Sequence, residues 1–294
     1  MMIKSNVAVK KPVKSSNAKR RIQKFCKNPL SVVAMIILLI LVGASIFAPL
    51  LTPHDPTVMN ISLKYADPSP EHPLGCDRLG RDMLARILYG GRWSLLIGVL
   101  TSLCANTLGA SMGVIAGYFG GKVDRAIVTA AEFMSLFPTM LVLILVACIT
   151  QISIWILVGM WTITGWVGTM RIVRGRVLSL KQEPFVESCV ANGIPKRSIM
   201  FHHIIPNTTG PIIVNATINV AGYILSESSL SYLGFGLDSS IPTWGNLLNA
   251  SKTMSVILGE PMQWICPAVC ILTLVLAINY IGDGLRDALD ATTR

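Results

Sequence analysis

Long apolar blocks are the feature of this sequence that most constrains its fold. The first of them, residues 30–51, reads LSVVAMIILLILVGASIFAPLL and contains no charged side chain. As a helix this block is about 33 Å long, which is enough to cross the hydrocarbon core of a bilayer. Only 14% of all residues are charged, whereas a soluble domain usually carries about a quarter. The sequence therefore predicts an all-α integral membrane protein.

Six apolar blocks follow one another along the chain. We expect membrane spans at 30–51, 93–117, 127–149, 152–172, 209–231 and 264–283. The tail before them, residues 1–29, is rich in Lys and Arg and contains no acidic residue, so we expect it in the cytoplasm and near anionic lipid. Six spans bring the second tail, residues 284–294, to the same side. The five later spans form a core over residues 93–283.

The segment 52–92 fits this topology least well. Residues 52–79 are rich in Pro and Asp, which indicates an exposed extracytoplasmic loop. Residues 80–92 alternate charged and apolar side chains at helical spacing, which predicts a short interfacial helix before the second span. We expect the arginines of this segment at the lipid headgroups, matched by acidic residues of the loop. These arginines are Arg78, Arg81, Arg86 and Arg92.

Nothing in the sequence predicts catalysis, a cofactor, a metal site or nucleic-acid binding. The basic residues of the tail have no aromatic residues between them on which bases could stack. Cys266 and Cys270 share a helix face but have no His, Asp or Glu nearby, so we interpret them as packing residues. His202 and His203 point about 100° apart on a helix, which argues against a chelating pair.

Residues 183–206, EPFVESCVANGIPKRSIMFHHIIP, are the most informative polar segment. Pro184 suits the first turn of a helix, whereas Gly193 and Pro195 end one. The segment therefore predicts a helix over 184–191, a turn, and a second helix toward Pro206. Between two spans on the cytoplasmic side such an element has no lipid to contact. Its residues alone leave open whether it docks on a protein partner or is a solvated loop.

This segment resembles the cytoplasmic loop of binding-protein-dependent ABC transporter permeases. That loop has the pattern Glu-Ala-Ala, three residues, Gly, nine residues, Ile-x-Leu-Pro. Here Glu187-Ser188-Cys189, Gly193 and His203-Ile204-Ile205-Pro206 stand at the same spacing. Ser188 and Cys189 replace the alanines, and His203 replaces the first Ile. The small residues keep the helix face thin, which remains compatible with tight docking.

Further stretches are similar to the dipeptide, oligopeptide and nickel branch of this family. One is the run His72-Pro73-Leu74-Gly75-Cys76-Asp77-Arg78-Leu79-Gly80-Arg81-Asp82, with Cys76 where the family has Thr. Others are residues 227–236, residues 242–245 and the C-terminal run 282–290, after which Ala291 stands in place of the usual Pro. The likeness covers about residues 28–290 and keeps the order of the family's motifs.

The resemblance implies the fold and partners of a type I ABC importer permease. It implies six transmembrane helices, a cytoplasmic coupling helix, a second homologous permease subunit, two ATP-binding subunits and an extracytoplasmic solute-binding protein. The chain has no Gly-x4-Gly-Lys-Ser/Thr phosphate loop, so nucleotide binding is expected elsewhere. The cargo would be a peptide or, alternatively, nickel or a metal chelate. The residues that would couple to the ATPase are Glu187, Ser188, Cys189, Gly193, Pro195, His203 and Pro206.

Three polar residues in or beside the spans are candidate pathway residues: Glu132, Glu227 and Ser226. Glu132 either lines the pathway or pairs with Arg171 or Arg174. Glu227, beside Ser226, either meets a peptide amino terminus or a cation in the pathway, or is a hydrogen-bonded carboxyl between helices. Outside the importer class, an ion-coupled carrier and a membrane enzyme are the other functions to consider. Both are less well supported, because the spans offer few mid-membrane charges and no converging Ser/His/Asp set or metal cluster.

Overall fold

The computed structural model describes residues 22–289, and within this range the chain is helical, with no β-strand. Most of the basic tail and the last five residues therefore lie outside the described residues. The helices are α1 Pro29–Ile46, α2 Ala48–Leu51, α3 Met83–Phe119, α4 Gly121–Ser135, α5 Thr139–Ile149, α6 Ile154–Lys181, α7 Pro184–Ala191, α8 Lys196–Ile199, α9 Ile205–Leu233, α10 Trp244–Ala250, α11 Met254–Gly259 and α12 Met262–Leu289. A 3₁₀ turn, Ile61–Leu63, lies between α2 and α3.

Four helices, α1, α3, α6 and α12, are long and apolar enough to cross a membrane. The pair α4 and α5 adds a fifth candidate if it is counted as one broken span, because its two halves meet at an angle of 70°. The 29-residue helix α9 is long enough, but it is not among these candidates. Length and composition thus support a membrane protein with several spans without establishing six.

The prediction of a separate interfacial helix over 80–92 is wrong. Residues from Met83 onward are the first turns of α3, which runs unbroken for 37 residues. Asp82 fixes its start, because Oδ1 accepts a hydrogen bond from the backbone N–H of Ala85 at 2.6 Å. The glycine pair in this stretch does not break the helix. Gly90 instead lets α3 approach the backbone carbonyl of Pro242, where a Cβ atom would collide.

Two of the four arginines expected at the headgroups, Arg81 and Arg86, are buried inside the protein instead, whereas Arg78 is exposed and Arg92 is half-buried. Arg86 is 1% exposed, and its Nη1 donates to the carbonyl oxygen of Pro56 at 3.1 Å. Arg81 is also buried, with 4% of its surface exposed, and its Nη2 lies 2.7 Å from Oδ2 of Asp77. These charges belong to the interior of the loop of residues 52–82, here called the α2–α3 loop.

The third expected span, 127–149, is interrupted at residues 136–138. Pro138 precedes α5, and a proline disfavours helical backbone at the residue before it. The chain therefore leaves the direction of α4 at this point and resumes as α5. At their C-terminal ends, α6, α9 and α12 continue for nine, two and six residues beyond the predicted spans. By contrast, α1 ends at Ile46, five residues before its predicted end.

Small residues bring α3 and α6 together. At Gly113 an added Cβ would lie 2.7 Å from the carbonyl oxygen of Met170, and at Gly117 it would lie 2.9 Å from Cβ of Val177. Close backbone approach of this kind is typical of helix pairs in membranes. A second contact region centres on Trp244, whose Nε1 donates to the carbonyl oxygen of Ile87 at 3.0 Å. These contacts fix the frame from which residues 183–206 project.

Candidate functional site

Residues 183–206, called the coupling segment from here on, begin where the long helix α6 ends. The chain turns at Gln182, and α7 starts at Pro184, which has no backbone N–H to leave unpaired in a first turn. The predicted helix over 184–191 is confirmed with these bounds. A second helical stretch follows from Lys196 and continues into α9.

A buried apolar cluster anchors the coupling segment to the long helices. Val186 of α7 is 3% exposed and packs with Val173 and Val177 of α6 and with Val114 of α3. Ile199 and Ile204, which precede α9, belong to the same cluster. Displacing α7 would therefore disturb contacts with three long helices at once.

Gly193 provides the turn between α7 and α8. Its φ is +71°, in the left-handed region that favours glycine, and no atom lies within 4 Å of an added Cβ. The N–H of Gly193 donates to the carbonyl of Val190 at 3.0 Å, and that of Ile194 donates to Cys189 at 3.1 Å. This pair of bonds is a Schellman motif. The requirement for glycine thus comes from the backbone and not from crowding.

A π-helical turn, Met200–Ile204, joins α8 to α9. Pro206 lies in the first turn of α9 and has no backbone N–H to donate to the preceding turn. The π-helical turn before it is wider than an α-helical turn and tolerates this missing hydrogen bond. His203 lies in this π turn with its Nε2 3.9 Å from Sγ of Cys189, so these two departures from the family pattern contact each other. Asn207 Nδ2 donates to the carbonyl of His203 at 2.6 Å.

The outer face of the coupling segment combines charged and apolar groups. Glu187 and Ser188 are exposed, and so are Gly193 and Pro195. Val190 is 62% exposed on the same helix. Phe185 and Phe201 are also exposed, at 41% and 58%. Apolar side chains exposed on a polar segment are typical of a docking surface.

A separate cleft of about 290 Å³ lies between α6 and α9. No charged side chain is among its lining residues, which offer amide, hydroxyl and backbone groups instead. They are Gly165, Gly168, Thr169, Ile172, Asn215, Asn219, Gly222, Tyr223 and Ser226.

A hydrogen-bond network between helices supports the wall of this cleft. Oδ1 of the buried Asn106 on α3 accepts bonds from Thr169 Oγ1 at 2.7 Å, Asn215 Nδ2 at 2.9 Å and Asn219 Nδ2 at 3.2 Å. Asn106 Nδ2 donates in turn to the carbonyl of Ser102 at 2.7 Å. Sequence reasoning missed this cluster, although asparagines four residues apart in an apolar helix were a readable signal.

The three proposed pathway residues lie in different surroundings. Ser226 lines the cleft. Glu227 is fully buried, and its Oε1 accepts a hydrogen bond from Ser231 at 2.8 Å. Glu132 is exposed on α4, and the arginines considered as its partners bind elsewhere: Arg174 pairs with Asp124, and Arg171 donates to Ser135 at 3.3 Å.

Comparison with known proteins decides the family. Residues 109–294 match the family model described as "Binding-protein-dependent transport system inner membrane component", and residues 16–68 match "N-terminal TM domain of oligopeptide transport permease C". The chain belongs to this family of ABC transporter permeases.

Several curated permeases are similar to this one over most of their length. The oligopeptide transport system permease protein OppC of Haemophilus influenzae is 38% identical over 95% of this chain and 88% of its own. The dipeptide transport system permease protein DppC of Alkalihalophilus pseudofirmus is 38% identical over 90% and 86%. DppC of Bacillus subtilis is 35% identical over 98% and 89%. The coupling segment of this permease lies wholly inside the first matched model.

Proposed function

We propose that this chain is a permease subunit of an ATP-driven importer that carries peptides across the cytoplasmic membrane. The chain itself would hydrolyse nothing. A second homologous permease, two ATP-binding subunits and an extracytoplasmic solute-binding protein would complete the transporter. The names of the relatives, which are oligopeptide and dipeptide permeases, favour peptides over nickel or a metal chelate.

The coupling segment is the observation that carries this proposal. It combines an exposed docking face with a buried anchor, Val186, on the helices that border the cleft. ATP-driven approach of two motor subunits would move α7, and its packing would transfer that movement to α6 and α9. A ligand shifts a conformational equilibrium only by its differential affinity for the two states, so ATP must bind the closed motor more tightly.

Within this segment each residue has a proposed role. Glu187 would accept a charge-assisted hydrogen bond from the ATPase, and Ser188 and Cys189 would keep the contact face thin. Gly193 and Pro195 would set the angle between α7 and α8. His203 and Pro206 would hold the π turn through which movement reaches α9.

The cleft between α6 and α9 is our candidate for this subunit's share of the pathway. Its lining of amides and hydroxyls suits a peptide backbone, which needs donors and acceptors but carries no net charge. Ser226 belongs to this wall. Glu227 and Glu132 remain proposed pathway residues, although one is enclosed and the other lies on α4.

Six spans with both termini in the cytoplasm are part of the proposal. They would be α1, α3, the bent pair α4–α5, α6, α9 and α12. The polar residues that make α9 a weak candidate by composition, Asn215 and Asn219, face Asn106 and the cleft. A helix whose polar side chains are paired inside the protein can still face lipid on its other side.

Co-purification and reconstitution test this function together. The tagged chain is expected to bring down a homologous permease and ATP-binding subunits. In proteoliposomes the whole assembly should take up labelled di- and oligopeptides only with ATP and the solute-binding protein. Uptake by the purified chain alone, without ATP, would instead establish a carrier.

A further inference from the structure

The α2–α3 loop brings together three side chains that carry metal-binding groups. His54, His72 and Asp82 each offer one ligand atom, and these atoms lie within 4.8 Å of one another. Nδ1 of His72 is 2.9 Å from Oδ2 of Asp82. The rings of His54 and His72 face each other with centroids 4.6 Å apart. No local spacing in the sequence indicates this cluster, because its three residues lie far apart along the chain.

The spacing suits a small divalent ion. Two ligands about 2.0 Å from a tetrahedrally coordinated metal are about 3.3 Å apart, which is close to the separation of His72 Nδ1 and Asp82 Oδ2. Two imidazoles and one carboxylate are a common ligand set for zinc, and imidazole also suits nickel and copper. Three protein ligands leave a fourth position for water.

The cluster is embedded in the fold and held by further hydrogen bonds. His72 is 8% exposed and Asp82 is 4% exposed. The second oxygen of Asp82 accepts from the N–H of Ala85, which fixes the carboxylate at the start of α3. Nε2 of His54 lies 3.1 Å from the carbonyl oxygen of Glu71. A bond from this N–H leaves Nδ1 of His54 free as a ligand, an arrangement that orients many metal-binding histidines.

We propose that His54, His72 and Asp82 bind one divalent first-row transition metal ion, of which zinc is the test case. Metal binding at Nδ1 of His72 places the ring's proton on Nε2, so two bonds to the metal replace the hydrogen bond between His72 and Asp82. The ion then fastens the segment after α2 to the start of α3. The cleft-lining residues all belong to α6 and α9, so this metal is a structural ion and not the transported cargo.

Zinc binding to the full-length chain tests the site. The chain is purified through an affinity tag without histidines, stripped with a chelator, equilibrated with zinc and desalted, and its metal content is measured by mass spectrometry. We expect one zinc per chain, with at least tenfold weaker binding in His54→Ala. The matched control is His202→Ala, which also removes one of the four histidines and should bind like wild type. Equal zinc binding by wild type and His54→Ala would overturn the proposal.

Asp82→Asn provides a variant that keeps the helix start intact, because Asn caps a helix as well as Asp does. It is expected to fold and to bind zinc at least tenfold more weakly. Zinc should raise the melting temperature of wild type and of His202→Ala, but not of His54→Ala or Asp82→Asn. A zinc-induced rise that persists in both loop variants would locate the metal elsewhere and refute this site.

Discussion

The α2–α3 loop and the coupling segment are both polar stretches between apolar helices, but only the loop buries some of its charged side chains. In the loop, Asp77, Arg81 and Asp82 are buried and satisfied by partners within the chain. In the coupling segment all the charged residues are exposed: Glu183, Glu187, Lys196 and Arg197. A segment that satisfies its own charges stabilises the subunit, whereas one that exposes them beside apolar groups is suited to a partner.

The largest effect is expected from removing the central carboxylate of the loop. Asp77 accepts from the guanidinium of Arg81 and from the N–H groups of Leu79 and Arg81, and it lies 3.7 Å from Arg86. Asp77→Ala leaves two buried arginines without their counter-charge, which costs about 3–5 kcal/mol. Thermal unfolding in detergent measures this loss. The exposed Asp67→Ala should change stability little, and equal melting temperatures for both variants would refute the buried network.

Two valines of α7 separate the anchor from the docking face. Val186 is buried in the apolar cluster, and Val190, one turn later, is exposed. Val186→Ala should destabilise the chain by about 2 kcal/mol, through lost burial. Val190→Ala should leave the melting temperature unchanged but weaken binding of the ATP-binding subunits in a pull-down. If both variants behaved alike, the buried first turn and the exposed last turn of α7 would not differ in function.

Alanine variants of two glycines distinguish an effect of backbone strain from an effect on coupling to the ATP-binding subunits. Gly193 and Gly121 both have positive φ and open space around an added Cβ. Alanine at either position costs about 1–2 kcal/mol, because a side chain disfavours left-handed backbone. Only Gly193→Ala should also reduce peptide uptake relative to the amount of assembled transporter. A comparable loss of uptake in Gly121→Ala would mean that strain alone explains the defect.

The smallest effect is expected in the thiol reactivity of two cysteines, Cys76 in the α2–α3 loop and Cys189 in the coupling segment. Burial of Cys76 raises the pKa of its thiol, and the carboxylates of Asp82 and Asp77 raise it further, so less thiolate is present at a given pH. Cys189 is half-buried in the coupling segment. Peptide mapping after maleimide treatment at pH 8 should find that Cys76 is modified about tenfold more slowly than Cys189. The rate of maleimide modification of Cys76 should continue to rise above pH 8.5, the usual pKa of a thiol. Equal rates would contradict the enclosed loop.

The sequence predicted those parts of the fold that depend on local signals. Pro184 and Gly193 define α7 because a proline begins a helix and a glycine ends one irrespective of distant contacts. The continuity of α3 was missed because the alternation of charged and apolar residues over 80–92, which is typical of an interfacial helix, instead serves contacts with residues far away in sequence, such as that of Gly90 with Pro242. The burial of Arg86 was missed because it too depends on a distant contact, the hydrogen bond to the carbonyl oxygen of Pro56.

The candidate site divides in the same way. The coupling segment was readable because its residues are contiguous and keep the family's spacing. The cleft was only partly predicted, through Ser226, because its wall is assembled from two helices and supported by Asn106 on a third. The cluster of His54, His72 and Asp82 depends on a loop that brings His72 back to His54, and no local spacing in the sequence predicts that contact.

Photo-cross-linking from α7 shows directly whether the coupling segment docks on a separate ATP-binding subunit. A photoreactive amino acid replaces Val190 in cells that make the whole transporter, and the matched control replaces Leu258, which is 77% exposed on α11. We expect an adduct with an ATP-binding subunit from position 190 and none from position 258. If position 190 captured no such subunit in a fully assembled transporter, this docking would be contradicted.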